Sequence, residues 1–214
     1  MKKVLSLGLL STAFLVSGNA SNAVELQHGI DVGVGYVVQI NTGDFAYTKE
    51  QIDFAKDNGN KLTNAVSQVS INIGYNAIFK FSNYFNPILG VFADGYIPLN
   101  NNSVVKGVNT ETKSVTSNIV DINAKIGNKF NVYKNFSIDL YYFIGANIGL
   151  VKAEIAGATD SNAYGGVSTG FGIDALYRGL LLGIYYKHTD MRTKGAVFNK
   201  ANNIGFKLGY RFSI

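Results

Sequence analysis

The feature that most constrains the fold of this 214-residue chain is a repeated alternation of apolar residues with small or polar ones. Successive residues of a β-strand point to opposite faces, so this alternation predicts strands with one apolar face and one polar face. It occurs in eight segments, which are residues 29–40, 69–81, 88–97, 120–132, 136–150, 166–177, 180–187 and 204–214. The sequence therefore predicts an all-β fold with eight strands.

The fifth segment shows the alternation most clearly. Its apolar face consists of the even-numbered residues from Phe136 to Leu150, and the positions between them are largely Gly, Ser, Asn and Asp. The third segment is the weakest, because Phe92 and Tyr96 would share the polar face with Asp94.

The connections between the segments alternate in length. Short turns are predicted at residues 82–87, 133–135 and 178–179, and long loops at residues 41–65, 98–117, 152–164 and 189–202. Short turns at one rim and long loops at the other are typical of an antiparallel up-and-down transmembrane β-barrel. A ten-residue strand rises about 33 Å and, tilted by about 40°, covers the roughly 25 Å of the apolar band of such a barrel.

The N-terminus reads as an export signal, predicted to be removed before the protein folds. Lys2 and Lys3 precede an apolar run over residues 4–16, and Ser21 and Ala23 supply small residues before the expected cleavage site. This run is shorter than the roughly 20 residues that a membrane-spanning helix needs. We therefore expect a signal peptide over residues 1–23 and one barrel domain over residues 24–214.

The composition excludes several classes of protein. The chain has no Cys, which excludes a disulfide framework, a thiolate zinc site and a cysteine nucleophile. Its net charge of +5 is not clustered and gives no support to nucleic-acid binding. A soluble sandwich or lipocalin-like barrel is the competing all-β fold, with the apolar face turned inward. The small residues of the polar face suit a narrow lumen and favour the membrane barrel.

Charged residues on the polar face are expected to point into the lumen. The acids are Asp31, Asp94, Asp121, Asp139 and Asp174, and the bases are Lys80, Lys125, Lys129, Lys187, Lys207 and Arg211. Five acids against six bases predict ion pairs across a narrow interior, while an ion-conducting pathway is the functional alternative. Eight strands leave an interior just wide enough for side chains to fill. We also expect inward glycines to leave some room, so that Gly145→Ser adds only a hydroxyl to the lumen.

The segment 207–214 resembles the C-terminal assembly signal of bacterial outer-membrane proteins. Lys207, Gly209, Phe212 and Ile214 occupy its polar, glycine, aromatic and hydrophobic positions, although the family usually ends on Phe or Trp. Together with the eight segments, this makes the chain similar to the small barrels of the OmpA and OmpX type, within the porin-like surface antigens.

The resemblance implies a location and a set of partners. It implies the outer membrane of a Gram-negative bacterium, contact with outer-membrane lipid and lipopolysaccharide, and recognition of the C-terminal strand by the barrel-assembly machinery. It also implies a structural protein or surface antigen, or an adhesin that binds host surface molecules through its loops. A small outer-membrane channel for ions or solutes is the alternative.

No catalytic, cofactor-binding or metal site is predicted. Deacylases of this barrel class carry a His two residues before the catalytic Ser, whereas His188 is followed by Thr189 and Asp190. The glycine-rich stretch 29–35 continues the strand alternation and opens no helix, so it does not fit a dinucleotide loop. Loop 41–65 contains four acids with lysines between them, namely Asp44, Glu50, Asp53 and Asp57, which is typical of a solvated loop.

Overall fold

A computed structural model describes residues 24–42, 49–57, 61–62, 64–99, 103–106, 111–155, 158–192 and 198–214. These ranges contain one helix, α1 (Lys49–Asp57), and ten strands: β1 (Glu25–Asn41), β2 (Lys61–Leu62), β3 (Ala65–Lys80), β4 (Phe85–Pro98), β5 (Ser103–Lys106), β6 (Glu111–Tyr133), β7 (Phe136–Ile155), β8 (Ala158–Tyr177), β9 (Leu180–Arg192) and β10 (Phe198–Ser213). The predicted signal peptide over residues 1–23 and the loop residue Asp44 lie outside the described residues.

The eight long strands close into a barrel. β1, β3, β4, β6, β7, β8, β9 and β10 each pair antiparallel with the next of the eight, and β1 pairs with β10 to complete the ring. In the closing pair, Asp31 lies opposite Arg211. The predicted all-β, eight-stranded antiparallel up-and-down barrel is therefore confirmed.

The predicted faces of the strands are also confirmed. Ile122 is 63% exposed on the outside of β6, whereas the adjacent Asp121 is fully buried inside. The third segment follows the same rule, since Leu89 is 47% exposed and Tyr96 only 6%. The barrel thus turns its apolar side chains outward and encloses its charged ones.

Three of the four predicted long loops contain much more strand than expected. Residues 152–164, predicted as a loop, belong almost entirely to β7 and β8, which stay paired from Phe136↔Tyr177 to Ile155↔Ala158. Most of 98–117 forms β5 and the first part of β6, which pair with each other. Beyond the apolar band both faces of a strand can meet water, so these parts need no apolar alternation.

Only loop 41–65 differs less from the prediction. Loop 41–65 contains the unpredicted α1 and β2, and β2 pairs with β5. The third loop with more strand than expected is 189–202, where residues 189–192 and 198–202 belong to β9 and β10, which pair as far as Phe198↔Arg192.

The short turns gather at one end of the barrel, here named the turn side, and the opposite end is named the loop side. At Arg178–Gly179 both residues have positive φ, of 50° and 89°. This is the combination of a two-residue type I′ hairpin turn, which matches the twist of the strands it joins.

Candidate functional site: the lumen and the loop side

A cluster around Arg211 fills the turn-side part of the lumen. Arg211 of β10 donates from Nε and Nη2 to both carboxylate oxygens of Asp31, at 2.5 and 2.9 Å, and from Nη1 to Asp139 at 2.6 Å. Asn76 donates to the same Asp31 at 2.9 Å, and Lys125 Nζ lies 3.7 Å from it. Three strands, β1, β7 and β10, are tied together through one guanidinium, whose fork of donors suits two carboxylates at once.

A second cluster lies around Lys187 of β9. Its ammonium forms an ion pair with Asp121 and donates to Tyr96 Oη at 2.9 Å, and Tyr96 donates to Asp121 at 3.0 Å. Asn72 donates to Asp94 at 2.8 Å. Burial of these charges requires such partners, because an isolated charge in a low-dielectric interior is costly.

A third cluster pairs Lys207 with Asp174. Lys207 Nζ lies 2.9 Å from the Asp174 carboxylate and donates to Tyr141 Oη at 3.0 Å, while Tyr141 donates to Asp174 at 3.2 Å. Like the second cluster, it joins a Lys, an Asp and a Tyr from three different strands.

Aromatic rings fill the space between these clusters. Tyr96, Tyr141, Phe143 and Tyr185 pack together with Val37 as a buried apolar group inside the lumen. The ring centre of Phe143 lies 6.2 Å from the ring centre of Tyr141 and 6.3 Å from that of Tyr185.

These rings lie against glycines of neighbouring strands. A Cβ at Gly172 would collide with the ring of Tyr141, and one at Gly205 with the ring of Tyr185. Each such glycine makes room for a ring that covers its bare backbone. Sequence reasoning missed this apolar group, although the signal was present as inward aromatics and inward glycines on adjacent segments.

Uncharged amides line the loop-side part of the lumen. Gln39 donates to Asn41 at 2.8 Å, and Asn118 and Asn203 are fully buried. The charged part of the lumen is therefore covered on its loop side by a neutral polar layer.

Nine of the eleven charges predicted to face inward lie in the lumen. The two others are near the turn-side rim, where Lys80 pairs with Glu25 at 2.5 Å and its side chain is 40% exposed. Lys129 lines the turn-side mouth and is half-buried. These two lie on the predicted face but at the rim, because the strand reaches the rim before the side chain can be enclosed.

The two histidines lie on the outer face, as predicted for His188. His188 Nδ1 lies 2.9 Å from Asn202 Oδ1, and its Nε2 lies 3.6 Å from Asp190. His28 Nδ1 shares a 2.5 Å hydrogen bond with Tyr75 Oη. Within the described ranges no three His, Cys, Asp or Glu residues gather as metal ligands, and no helix is long and apolar enough to cross a membrane.

Comparison with known proteins yields likeness only among solved structures. No family model matches the sequence, and no curated protein matches it. Ail, the attachment invasion locus protein of Yersinia pestis, is 16% identical over 87% of this chain and 99% of Ail, with a TM-score of 0.48. Neisserial surface protein A is 12% identical over 85% of this chain and 95% of its own, with a TM-score of 0.37. Likeness of this degree says nothing about function, and the closed barrel follows from the chain's own strand pairing.

Proposed function

We propose that this chain is an integral outer-membrane protein of a Gram-negative bacterium, surrounded by outer-membrane lipid and lipopolysaccharide. The observation that carries the proposal is the inverted distribution of side chains. Branched apolar residues such as Ile73 and Leu182 are more than half exposed outside, while Asp139 and Lys187 are enclosed. In lipid such a surface is solvated, and a ring of paired strands leaves no open sheet edge in the hydrocarbon region.

The proposed role is that of a non-catalytic surface protein, either structural or antigenic, that binds host surface molecules. Support comes from the loop-side extension, defined as α1, β2, β5 and the strand segments 111–118, 151–155 and 158–164. These strand segments run beyond the ring, since β4 first pairs with β6 at Val120 and β9 first pairs with β8 at Gly165. Proteins often bind their partners through segments that a rigid scaffold presents, and the barrel presents the loop-side extension in this way.

Export and assembly belong to the same proposal. The signal peptide over residues 1–23 would direct export, and β10 would present its C-terminal residues to the barrel-assembly machinery. Phe212 on the outer face of β10 and Ile214 directly after it are exposed, so another protein can reach them before the barrel inserts.

The side chains that fill the lumen disfavour the alternative of a channel. Ions would have to pass the Arg211, Lys187 and Lys207 clusters, whose charges are already paired. We expect purified protein in planar bilayers to show no stable unitary conductance, and a stable conductance would favour the channel.

Single-cysteine labelling tests membrane placement and surface exposure together. The chain has no Cys, so Lys56→Cys on α1 and Lys134→Cys at a turn each create a unique thiol. We expect a membrane-impermeant maleimide to label the Lys56→Cys variant on intact cells. The Lys134→Cys variant should react only after the outer membrane is permeabilised. The reverse pattern would mean that the loop-side extension faces the periplasm.

A further inference from the structure

The turn-side mouth of the barrel contains a cleft that the proposed surface role does not use. It has a volume of about 340 Å³ and is lined by basic and neutral residues, with Lys129, Lys134, Arg178 and Arg211 as its charged members. This volume falls within the roughly 300–1,000 Å³ of small-molecule sites. No acidic residue is among its lining residues.

The cleft carries a surplus of positive charge, with four lining cations against the two carboxylates at its base. Arg211 is held by Asp31 and Asp139 at the base of the cleft. Within the described part of the chain, Lys129, Lys134 and Arg178 form no ion pair with a carboxylate. An anion at this mouth would therefore meet Lys134 and Arg178, which no carboxylate pairs within the described ranges, together with Lys129, whose cross-strand neighbour is Asp139.

Arg211 keeps further donors for such an anion. Its guanidinium has five N–H groups, and three of them donate to Asp31 and Asp139. The ion pairs at its base fix the orientation of the guanidinium, so the remaining N–H groups are held in place at the edge of the cleft.

Arg178 occupies a backbone conformation that its residue type disfavours. Its φ of 50° lies in the left-handed region, where Gly, Asn and Asp are the usual residues of a type I′ turn. An Arg in this position costs backbone energy, and such outliers cluster at ligand sites. The Arg178 guanidinium also lies 5.5 Å from the ring centre of Tyr177, an exposed residue on the outer face. Arg178 is thus placed between the cleft and the lipid-facing surface.

We infer that this cleft binds a phosphate-bearing anion at the turn-side mouth of the barrel. Guanidinium and ammonium groups are the donors that proteins use for phosphate. Two sources share this chemistry, an anionic phospholipid headgroup of the adjoining leaflet and free phosphate. The lipid source rests on the proposed membrane placement, whereas the inference is independent of what the loop-side extension binds.

Native mass spectrometry of the refolded protein in maltoside micelles tests this site. The probes are dioleoylphosphatidylglycerol, dioleoylphosphatidylcholine and inorganic phosphate. We expect one phosphatidylglycerol to be retained per barrel in preference to phosphatidylcholine. The double variant Lys129→Gln/Arg178→Asn should reduce this retention about tenfold, because two charge-assisted contacts are lost. Asn tolerates the left-handed conformation, so the turn should remain at least as stable.

The matched control is Lys56→Gln/Lys200→Gln, which removes the same charge from exposed residues on the loop side. It should retain phosphatidylglycerol like the wild type. Competition by inorganic phosphate would identify the phosphate group itself as sufficient, and retention of lipid without such competition would identify the lipid headgroup. Equal retention by the wild type and the mouth variant, with no phosphate binding, would overturn the inference. An equal loss in both double variants would also overturn it, since general charge attraction would then suffice.

Discussion

Ile144 provides a test of the outward face at a single residue. It is 53% exposed on β7, and its strand partners are Ala124 and Thr169. A charge placed here would face hydrocarbon near the bilayer midplane, so Ile144→Arg should lower the free energy of unfolding by about 2–4 kcal/mol. Denaturant titration of the protein refolded into lipid vesicles measures this change. Ile144→Leu is the control and should be close to neutral, whereas an Ile144→Arg variant as stable as the wild type would place this face elsewhere.

The neighbouring Gly145 does not behave as the sequence led us to expect. A Cβ at this position would collide with the backbone carbonyl of Ile122 and with Asn123 of the adjacent strand. The expectation that Gly145→Ser adds only a hydroxyl to the lumen is therefore wrong. The alternation of a strand shows which way a residue points, but the distance to the next strand's backbone depends on twist and packing.

Lys187 tests the ion pairs of the lumen. Its partners are Asp121 and Tyr96, both buried. Lys187→Met keeps most of the volume but leaves a buried carboxylate without its cation, which should cost about 3–5 kcal/mol in the same titration. Lys200→Met, at a partly exposed lysine on the loop side, should change stability by no more than about 1 kcal/mol. A loss of similar size in both variants would mean that the lumen is hydrated enough to screen its charges.

At the scale of elements, the lengths of β7 and β8 are the clearest departure from the sequence prediction. Residues 151–155 of β7 pair with β6 on one side and β8 on the other, so their amides should exchange slowly with deuterium. In 158–164 of β8, at least every second amide should be protected by the pairing with β7. Hydrogen exchange resolved by residue measures both. Uniformly fast exchange over 151–155 and 158–164 would mean that these residues form the loop that the sequence predicted.

What the sequence could predict depends on where an element meets lipid. The eight strands and their faces follow from the alternation, because each residue within the apolar band points either outward to lipid or inward to the lumen, and its polarity shows which. The stretch 158–163, Ala-Thr-Asp-Ser-Asn-Ala, lies beyond that band and shows no alternation of apolar and polar residues. Its strand was therefore not predictable from periodicity.

The candidate site was predictable to a similar degree. The acids and bases of the lumen were identified by the face on which they lie. Their partners were not, because Arg211 reaches Asp139 across the barrel and the two residues are 72 apart in sequence. The positive φ of Arg178 was also beyond prediction, since Arg is not a residue that type I′ turns favour.

At the scale of the whole molecule, the central claim is that one closed ring of strands separates lipid outside from ion pairs inside. Closure ties the first strand to the last through pairs from Gly29↔Ser213 to Asn41↔Ala201. A ring without free edges cannot fray strand by strand, so it should open slowly even in a denaturing detergent.

Cell fractionation combined with electrophoresis before and after boiling tests this claim most directly. We expect the protein in the outer-membrane fraction, where the unboiled sample should migrate as a compact species and the boiled sample at the mobility of the unfolded chain. Lys187→Met should shift that transition to a lower temperature. Recovery in the soluble periplasmic fraction, with the same mobility before and after boiling, would contradict the account.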